Sequence, residues 1–544
     1  MFLSPLTLNT AWAIRCLPSY LHYRTALGRC GEVQWKILHS CLNKNAETEY
    51  GMRYRFSSIS SPYEFQQRVP AVTFDDLKEQ IDRMANGANN ILSSEPVSLF
   101  EPTSGSTNAV KLIPYTHELR LQFERGIYPW IFSLFNSRPE LLAGKSYWSI
   151  SPGLKTENRT RAGIKVGFEK DTAYLGKKGR LAESIQAVPS SVREIHEMES
   201  FRYATLYFLL KEPGLTFISV WNPSFLTILL NNLPNFWTRL IADIHDGSLS
   251  FLSERKTPIP ESIGKDLSPD PERADTLEKT GPEDLRSIWP SLNLISCWTS
   301  GYADKPAETL GGLLPWVEIQ GKGLVATEAF VSLPFDGLEL LAVRSHFFEF
   351  ESENGKCQLA HELKKGERYS VLVTTGGGLY RYKLMDRVEV TGYRGSTPAL
   401  KFIGKESKVV DISGEKMNED FVSDSLREIF EELSLEPYFA MLAPDIRNEQ
   451  QGYSLFIECE GSISTVLQKL LEEALRRNPH YDYCRRLGQL DDSRVFQISG
   501  GSEEAYLRFY SAKNVQCGGV KFTPLSIETG WDRVFSGKYL LPPD

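Results

Sequence analysis

No Cys-x-x-C pair occurs in the sequence, and its eight cysteines (Cys16, Cys30, Cys41, Cys297, Cys357, Cys459, Cys484 and Cys517) are scattered. Zinc clusters and thioredoxin-like redox sites therefore have no support, and buried free thiols are the expectation. Long apolar runs are missing too. The N-terminus, MFLSPLTLNTAWAIRCLPSY, has no basic n-region, and its apolar runs fall short of the roughly 7–15 residues of a signal peptide or 18 of a membrane span. It reads as a packed helix of a cytoplasmic protein with no membrane span. Basic charge is not in excess: 61 Lys+Arg stand against 69 Asp+Glu, a net charge of −8. A nucleic-acid-binding surface is thereby excluded as the main business. Repeats and low-complexity tracts are absent. With 41% hydrophobic and 11% aromatic residues over 544 positions, the chain can bury large cores, and at roughly 100–200 residues per domain it makes about three domains, or two with one unusually large.

Along the chain, residues 1–95 read as helices, with Trp35, Ile37, Leu38, Cys41 and Leu42 at helical spacing. A turn-rich loop at 103–108 precedes a helix over 117–130. TFISVW reads as a strand followed by the helical SFLTILLNNL, and residues 253–284, rich in proline and charge, as a long surface excursion. From 292 to 400 short strands dominate, among them LNLISCW, WVEIQ, LELLAV, YSVLVTT and RVEVTGY. Beyond Gly404-Lys405 a βαβ-like tail of domain size begins.

The strongest local signal is Thr103-Ser104-Gly105-Ser106-Thr107, followed by Lys111. Three hydroxyl side chains or more around a glycine let backbone N–H groups and hydroxyls wrap phosphate oxygens, and a nearby lysine adds a point charge. The same composition also suits an ordinary surface turn. No Gly-Lys pair has the earlier glycine of a Walker A loop. Gly321-Lys322-Gly323-Leu324-Val325-Ala326 fits the dinucleotide pattern G-x-G-x-x-A, but Pro334 follows too soon for a crossover helix. His196-Glu197 and His361-Glu362 lack the second histidine of a zinc-protease helix, Ser200 and Lys365 standing there instead, and no G-x-S-x-G elbow occurs. What remains is a dispersed set: the hydroxyl loop, Ala326-Thr327-Glu328 at a strand end, Asp386 entering a strand, the Gly404-Lys405 hinge, and Lys521 after two glycines. An ATP-dependent carboxylate activator needs such a set: a phosphate cradle, acids for magnesium and for ribose hydroxyls, and a mobile cation.

EPTSGSTNAVKLIPYT, SVWNPSFL, CWTSGYA, IQGKGLVATEAFVSLP, GLYRYKLMDRVEVTGY, FIGKESKVVDISGEKMNE, NPHYDYCRRLGQL and GGVKFTPL together carry a resemblance that none carries alone. The sequence resembles the Gretchen Hagen auxin-responsive family of acyl acid amido synthetases, a branch of the adenylate-forming, firefly-luciferase-like superfamily, and looks closer to its bacterial than to its plant members. The resemblance implies an α/β fold: a large N-terminal adenylation domain over 1–404, with helix-flanked sheets and a β-barrel-like part, and a small mobile α+β C-terminal domain over 405–544. It implies that Thr103, Ser104, Gly105, Ser106 and Thr107 hold the β- and γ-phosphates of ATP. Thr327 and Glu328 would lie near the α-phosphate, with Glu328 on Mg2+; Asp386 would bind the ribose hydroxyls, and Lys521 would reach in during adenylation. Three departures stand out: Thr-Ser-Gly-Ser-Thr for the more usual plant Ser-Ser-Gly-Thr-Ser, Lys405 for an arginine, and Thr299-Ser300 for Ala-Asp.

The implied reaction is a ligase's. A carboxylate attacks the α-phosphorus of ATP to give acyl-AMP and pyrophosphate, and an amine, that of an amino acid, then releases AMP. The partners are a small carboxylic acid and an amino acid. Arg120 and Arg125 on helix 117–130, with Tyr203 and Trp221, are candidates for the acyl pocket; a solvated helix face and core packing are their alternatives. Two other readings remain open: a thioester ligase acting on coenzyme A or a carrier protein, and an inactive nucleotide- or acyl-binding protein.

Overall fold

The first helix, Pro5–Ala26, starts where Ser4 accepts from the Thr7 N–H and a proline fills the first turn, a position that needs no backbone donor. Helices Cys30–Lys44, Pro62–Arg68 and Phe74–Ala85 follow, the last opened by a Thr73/Asp76 capping box. The computed structural model describes residues 4–104, 110–149, 159–167, 179–300, 303–406, 409–410, 412–413, 415, 417–447, 450–461, 463–464, 466–486, 489–513 and 522–540. Two compact units divide the chain, Met1–Ile403 and Gly404–Asp544.

In the first unit, β1 (Leu99–Ser104) and β2 (Val110–Tyr115) form an antiparallel hairpin, and the helix His117–Ser137 follows. Four strands, β3 (Lys145–Trp148), β5 (Leu215–Ser219), β6 (Leu294–Cys297) and β7 (Glu318–Gly321), lie parallel in that order. Every residue of β5 and β6 is buried, as strands covered on both faces by helices require. A short β4 (Lys165–Val166) pairs with β1. A seven-stranded sheet follows, built from β8 (Ser332–Phe335), β9 (Leu338–Leu341), β10 (Phe347–Ser352), β11 (Cys357–Leu359), β12 (Arg368–Thr374), β13 (Tyr382–Arg394) and β14 (Thr397–Lys405), with β11 and β8 at its two ends. The architecture is mixed α/β.

The stretch 253–284 is more than a surface excursion. It forms helices Glu261–Asp266 and Pro271–Thr280, buries Ile263, Ala274 and Leu277, and sends the Arg273 guanidinium to the carbonyls of Leu210 and Ile288 at 2.7 and 2.8 Å. Two of its prolines, Pro260 and Pro271, stand at helix starts, where they initiate instead of interrupting: Asp270 caps the N–H of Arg273 and Pro271 opens the turn.

The second unit has β15 (Val409–Val410) paired with β16 (Met417–Asn418), and a four-stranded sheet of β17 (Phe439–Arg447), β18 (Gln450–Glu458), β19 (Arg494–Ile498) and β20 (Gly537–Tyr539). β18 and β19 are parallel, joined through helices Val466–Leu475 and Pro479–Arg486. Among the described residues no helix is long and apolar enough to cross a membrane, and the described cysteines are free thiols.

Candidate active site

The described part of the hydroxyl-rich segment lies at the end of a strand. β1 and β2 stay in register up to Thr103 opposite Lys111 and Ser104 opposite Val110. Thr103 and Ser104 close β1, while Gly105, Ser106 and Thr107 lie outside the described residues. Lys111 sets its Nζ 5.6 Å from the ring centre of Phe74.

Thr327 and Glu328 were expected at a strand end. They occupy the tip of a tight turn, closed by an antiparallel bridge between Val325 and Phe330 and by the Ala326 N–H donating to the Ala329 carbonyl at 2.9 Å. β7 ends at Gly321, and no helix follows. Gly323 takes φ +73°, and a Cβ there would lie 2.6 Å from the Ser332 carbonyl oxygen, so only glycine lets the chain turn back at that point. The Tyr115 hydroxyl donates to the Thr327 carbonyl at 2.5 Å, and the Tyr382 hydroxyl makes a long bond of 3.5 Å to Glu328 Oε1. Burial first, and Glu328 second, hold the Tyr382 phenol well above its ordinary pKa, so it stays a neutral donor.

The far side of the turn is fixed by a buried histidine. The Phe330 N–H donates to His346 Nε2 at 3.1 Å, and His346 Nδ1 lies 3.0 Å from Gln122 Oε1, which also accepts from the Gly376 N–H at 2.8 Å. Since Nε2 accepts, the proton sits on Nδ1. Burial, aided by the charge of Arg125, pushes the imidazole down to about 3, which keeps it neutral. Phe330 packs against Gly126 of the His117–Ser137 helix, where a Cβ would meet its ring at 2.4 Å.

Asp386 sits in an irregularity of β13. Leu372 and Ser370 of β12 face Lys383 and Arg387, so three residues of β13 oppose Val371 alone. Met385 absorbs the excess at φ +60°, and such a bulge re-aims a neighbouring side chain. Asp386 is buried, and its Oδ1 has no hydrogen-bond partner. The strand entrance is held by Arg381, itself at φ +48°, whose guanidinium pairs with buried Glu349 at 3.0 Å and donates to the carbonyls of Gln66 and Val69. After burial, Glu328, Asp75 and Asp386 all raise the Tyr382 phenol, so the turn and the bulge both act on that hydroxyl. A diol would supply the donor that Asp386 Oδ1 lacks. Magnesium is commonly held by one or two carboxylates plus phosphate oxygens, a role for which Glu328 has the right chemistry.

The remaining candidates divide. Arg120 reaches the His117 ring at 3.0 Å and keeps a buried Nε with no partner, whereas Arg125 is paired with Glu118 at 3.0 Å. Tyr203 belongs to a separate core: its hydroxyl donates to Asp243 at 2.6 Å and its ring stacks on Phe251. Trp221 follows β5 and packs on Trp298 at 5.8 Å. Lys521 lies outside the described residues; Phe522, directly after it, packs on Tyr506 at 5.0 Å and Phe439 at 5.9 Å. Sequence reasoning missed Tyr115, Gln122, His346 and Tyr382, which hold the turn from three distant segments. No spacing in the sequence links these segments to the turn.

The fold is that of a solved acyl acid amido synthetase, AtGH3.15 in complex with 2,4-DB, with a TM-score of 0.81 and 21% identity over 96% of this chain and 95% of that one. Three family domains match in order: the GH3 family N-terminal domain over residues 23–315, the central domain over 339–405 and the C-terminal domain over 419–528. The chain belongs to the GH3 family. Its relatives include the indole-3-acetic acid-amido synthetase GH3.15 of Arabidopsis thaliana, 28% identical over 76% of this chain and 73% of the relative. The jasmonoyl–L-amino acid synthetase JAR6 of Nicotiana attenuata is 26% identical over 72% and 71%.

Proposed function

We propose that the protein is an ATP-dependent acyl acid amido synthetase, which adenylates a carboxylic acid and joins the acyl group to an amino acid. The observation that carries the reading is the buried, unpartnered Oδ1 of Asp386, on the strand whose Tyr382 hydroxyl bonds Glu328 on its turn. The names of the relatives, amido synthetases of indole-3-acetic acid and jasmonate, support the amide product over a thioester.

In this proposal the hairpin tip from Thr103 to Thr107 wraps the β- and γ-phosphates, with Lys111 nearby, and Asp386 accepts from the ribose hydroxyls. Magnesium, held by Glu328, neutralises phosphate charge when bound. The protein's own work is positioning: Tyr115 and His346 fix the two ends of the turn carrying Glu328, and Tyr382 orients its carboxylate. The substrate carboxylate attacks the α-phosphorus, the α–β phosphoanhydride breaks, and pyrophosphate leaves. Lys521, from the small unit, supplies a cation to the charge that develops. The amine of an amino acid then attacks the acyl carbon and AMP departs.

Pyrophosphate release, screened over aryl, indolyl and fatty acids with a panel of amino acids set against coenzyme A, tests the reading. Amino-acid-dependent AMP formation is expected; acceptance of coenzyme A alone would move the protein to the thioester ligases.

A further inference from the structure

The parallel sheet ends in a cluster of indoles around a buried amine, and the reading above gives it no task. β3 ends at Trp148, β5 at Ser219, β6 at Cys297 and β7 at Gly321. Ligands of open parallel sheets bind beyond those carboxyl ends. Lys322 follows β7 and is 7% exposed. Its Nζ donates to Ser219 Oγ at 2.6 Å and lies 5.4, 5.3 and 6.0 Å from the ring centres of Trp130, Trp221 and Trp148. Trp130 is buried, whereas Trp148 and Trp221 are partly exposed.

An ammonium carries three N–H donors, and Ser219 Oγ takes one. Among the described residues no carboxylate pairs with Lys322. Cys297, whose carbonyl accepts the Lys322 N–H at 3.0 Å, has a thiol pushed up to about 12 by burial and offers no negative charge. The indole faces attract a cation but do not take its hydrogen bonds. Burial accordingly pushes the amine down to about 7. A group in this condition gains most from an incoming acceptor or anion.

The cage also has a fixed relation to the proposed site. Trp130 stands one helical turn beyond Gly126, on which Phe330 packs, and Phe330 is two residues from Glu328. An acid whose carboxylate lies near the Thr327–Glu328 turn would extend its body along that helix face toward Lys322.

We infer that Lys322, caged by Trp130, Trp148 and Trp221, is a specificity-determining contact that selects acids carrying a second acceptor, a ring hydroxyl or a second carboxylate, on a flat apolar body. The inference rests on the amido synthetase reading and deepens it. Ser219 holds the amine in place until the acid supplies the remaining acceptor.

Matched acids test it: benzoate against 4-hydroxybenzoate and terephthalate, and indole-3-acetate against 5-hydroxyindole-3-acetate. Pyrophosphate release from the full chain should favour a substituted member of at least one pair by roughly tenfold in kcat/KM, about the worth of one charge-assisted hydrogen bond. In Lys322→Met the ratio should fall to within about twofold of unity, mainly through KM. Trp fluorescence provides a readout without turnover: the favoured acid should quench the wild type, and saturation should shift roughly tenfold in Lys322→Met. Should that variant misfold, Ser219→Ala, which frees the amine, is expected to shift the same titration. Pyrophosphate release with no preference in any pair, or a ratio unchanged in folded Lys322→Met, overturns the inference and leaves the synthetase reading standing. Quenching by the substituted acids without pyrophosphate release would instead support the cage and remove the synthetase reading.

Discussion

Replacing Asp386 by alanine should weaken nucleotide binding and stabilise the fold at once. The carboxylate is 4% exposed and its Oδ1 has no partner. A buried acceptor left unsatisfied costs about 1–3 kcal/mol. Removing it recovers that sum, less about 0.5 kcal/mol for the small void that three heavy atoms leave. The ligand-free variant should therefore be about 0.5–2.5 kcal/mol more stable, a rise in Tm of about 0.5–3 °C at this size. If the carboxylate accepts from ribose, at least one hydrogen bond to a charged group is lost, about 1.5–3 kcal/mol, and KM for ATP should rise roughly tenfold to a hundredfold. ATP–pyrophosphate exchange at varied ATP, beside a thermal melt of the ligand-free protein, measures both. Stability and binding moving in opposite directions is the mark of a side chain kept for its ligand. A lowered Tm with an unchanged KM for ATP would refute the reasoning, because Asp386 would then be part of the bulge and not of the site.

Glu349→Gln leaves the buried Arg381 guanidinium without its counter-charge, and loss of about 3–5 kcal/mol is expected in a urea titration; since Arg381 leads directly into Tyr382, KM for ATP should rise as well. His346 gives a pH signature. Its imidazole titrates near 3 in the fold against 6.5 ordinarily, so between those values the native state binds fewer protons than the unfolded one. Its contribution is complete above pH 6.5 and is lost on acidification, by up to about 1.4 kcal/mol per pH unit. Unfolding midpoints of wild type and His346→Gln from pH 6.5 to 4.5 should differ in slope, and parallel slopes would contradict a neutral buried imidazole. Gly126→Ala gains about 1 kcal/mol of helix propensity but sets a methyl 2.4 Å from the Phe330 ring, an overpacking of about 1–3 kcal/mol; a net loss of stability is expected, together with slower pyrophosphate exchange as the Glu328 turn shifts.

What the sequence made legible follows the range of the forces involved. Helical spacing around Trp35 to Leu42 and the apolar runs of β5 and β6 are local patterns, and the structure contains the corresponding helix and strands. The hydroxyl-rich motif reads as a turn-rich loop over 103–108, but Thr103 and Ser104 belong to β1, paired with β2. The Thr327–Glu328 tip was not legible. Its conformation depends on a positive φ at Gly323, on Ser332 and on hydrogen bonds from Tyr115, Tyr382 and His346, none of which is a neighbour in sequence. The prolines of 253–284 misled for the opposite reason: proline punctuates both loops and helix starts, and the caps that decide between them include Asp270, one charged residue among many. Lys322 was visible only inside a dinucleotide pattern whose helix is missing, since a cage assembled from a helix and three strand ends leaves no spacing to read.

The electrostatics of the site constrain how an anionic substrate can enter it. The protein carries a net charge of −8, and around Tyr382 lie three carboxylates, Glu328, Asp386 and Asp75. The nearest buried cation on that strand, Arg381, is already committed to Glu349. A triphosphate approaching this corner would be repelled, so it must meet the carboxylates through parts that are not anionic. In the proposed reaction, ribose hydroxyls would do so at Asp386, whose buried Oδ1 lacks a donor. A divalent cation would do so at Glu328, where its charge would offset that of the carboxylate and of the phosphates. The phosphates would then be left to the segment Thr103–Thr107 and Lys111, flanked by strands that carry no carboxylate beyond Glu101. On the proposed reading, an acidic corner that would be a defect in a simple anion site would thereby sort the nucleotide, with sugar at Asp386, metal at Glu328 and phosphates at the hydroxyl-rich segment.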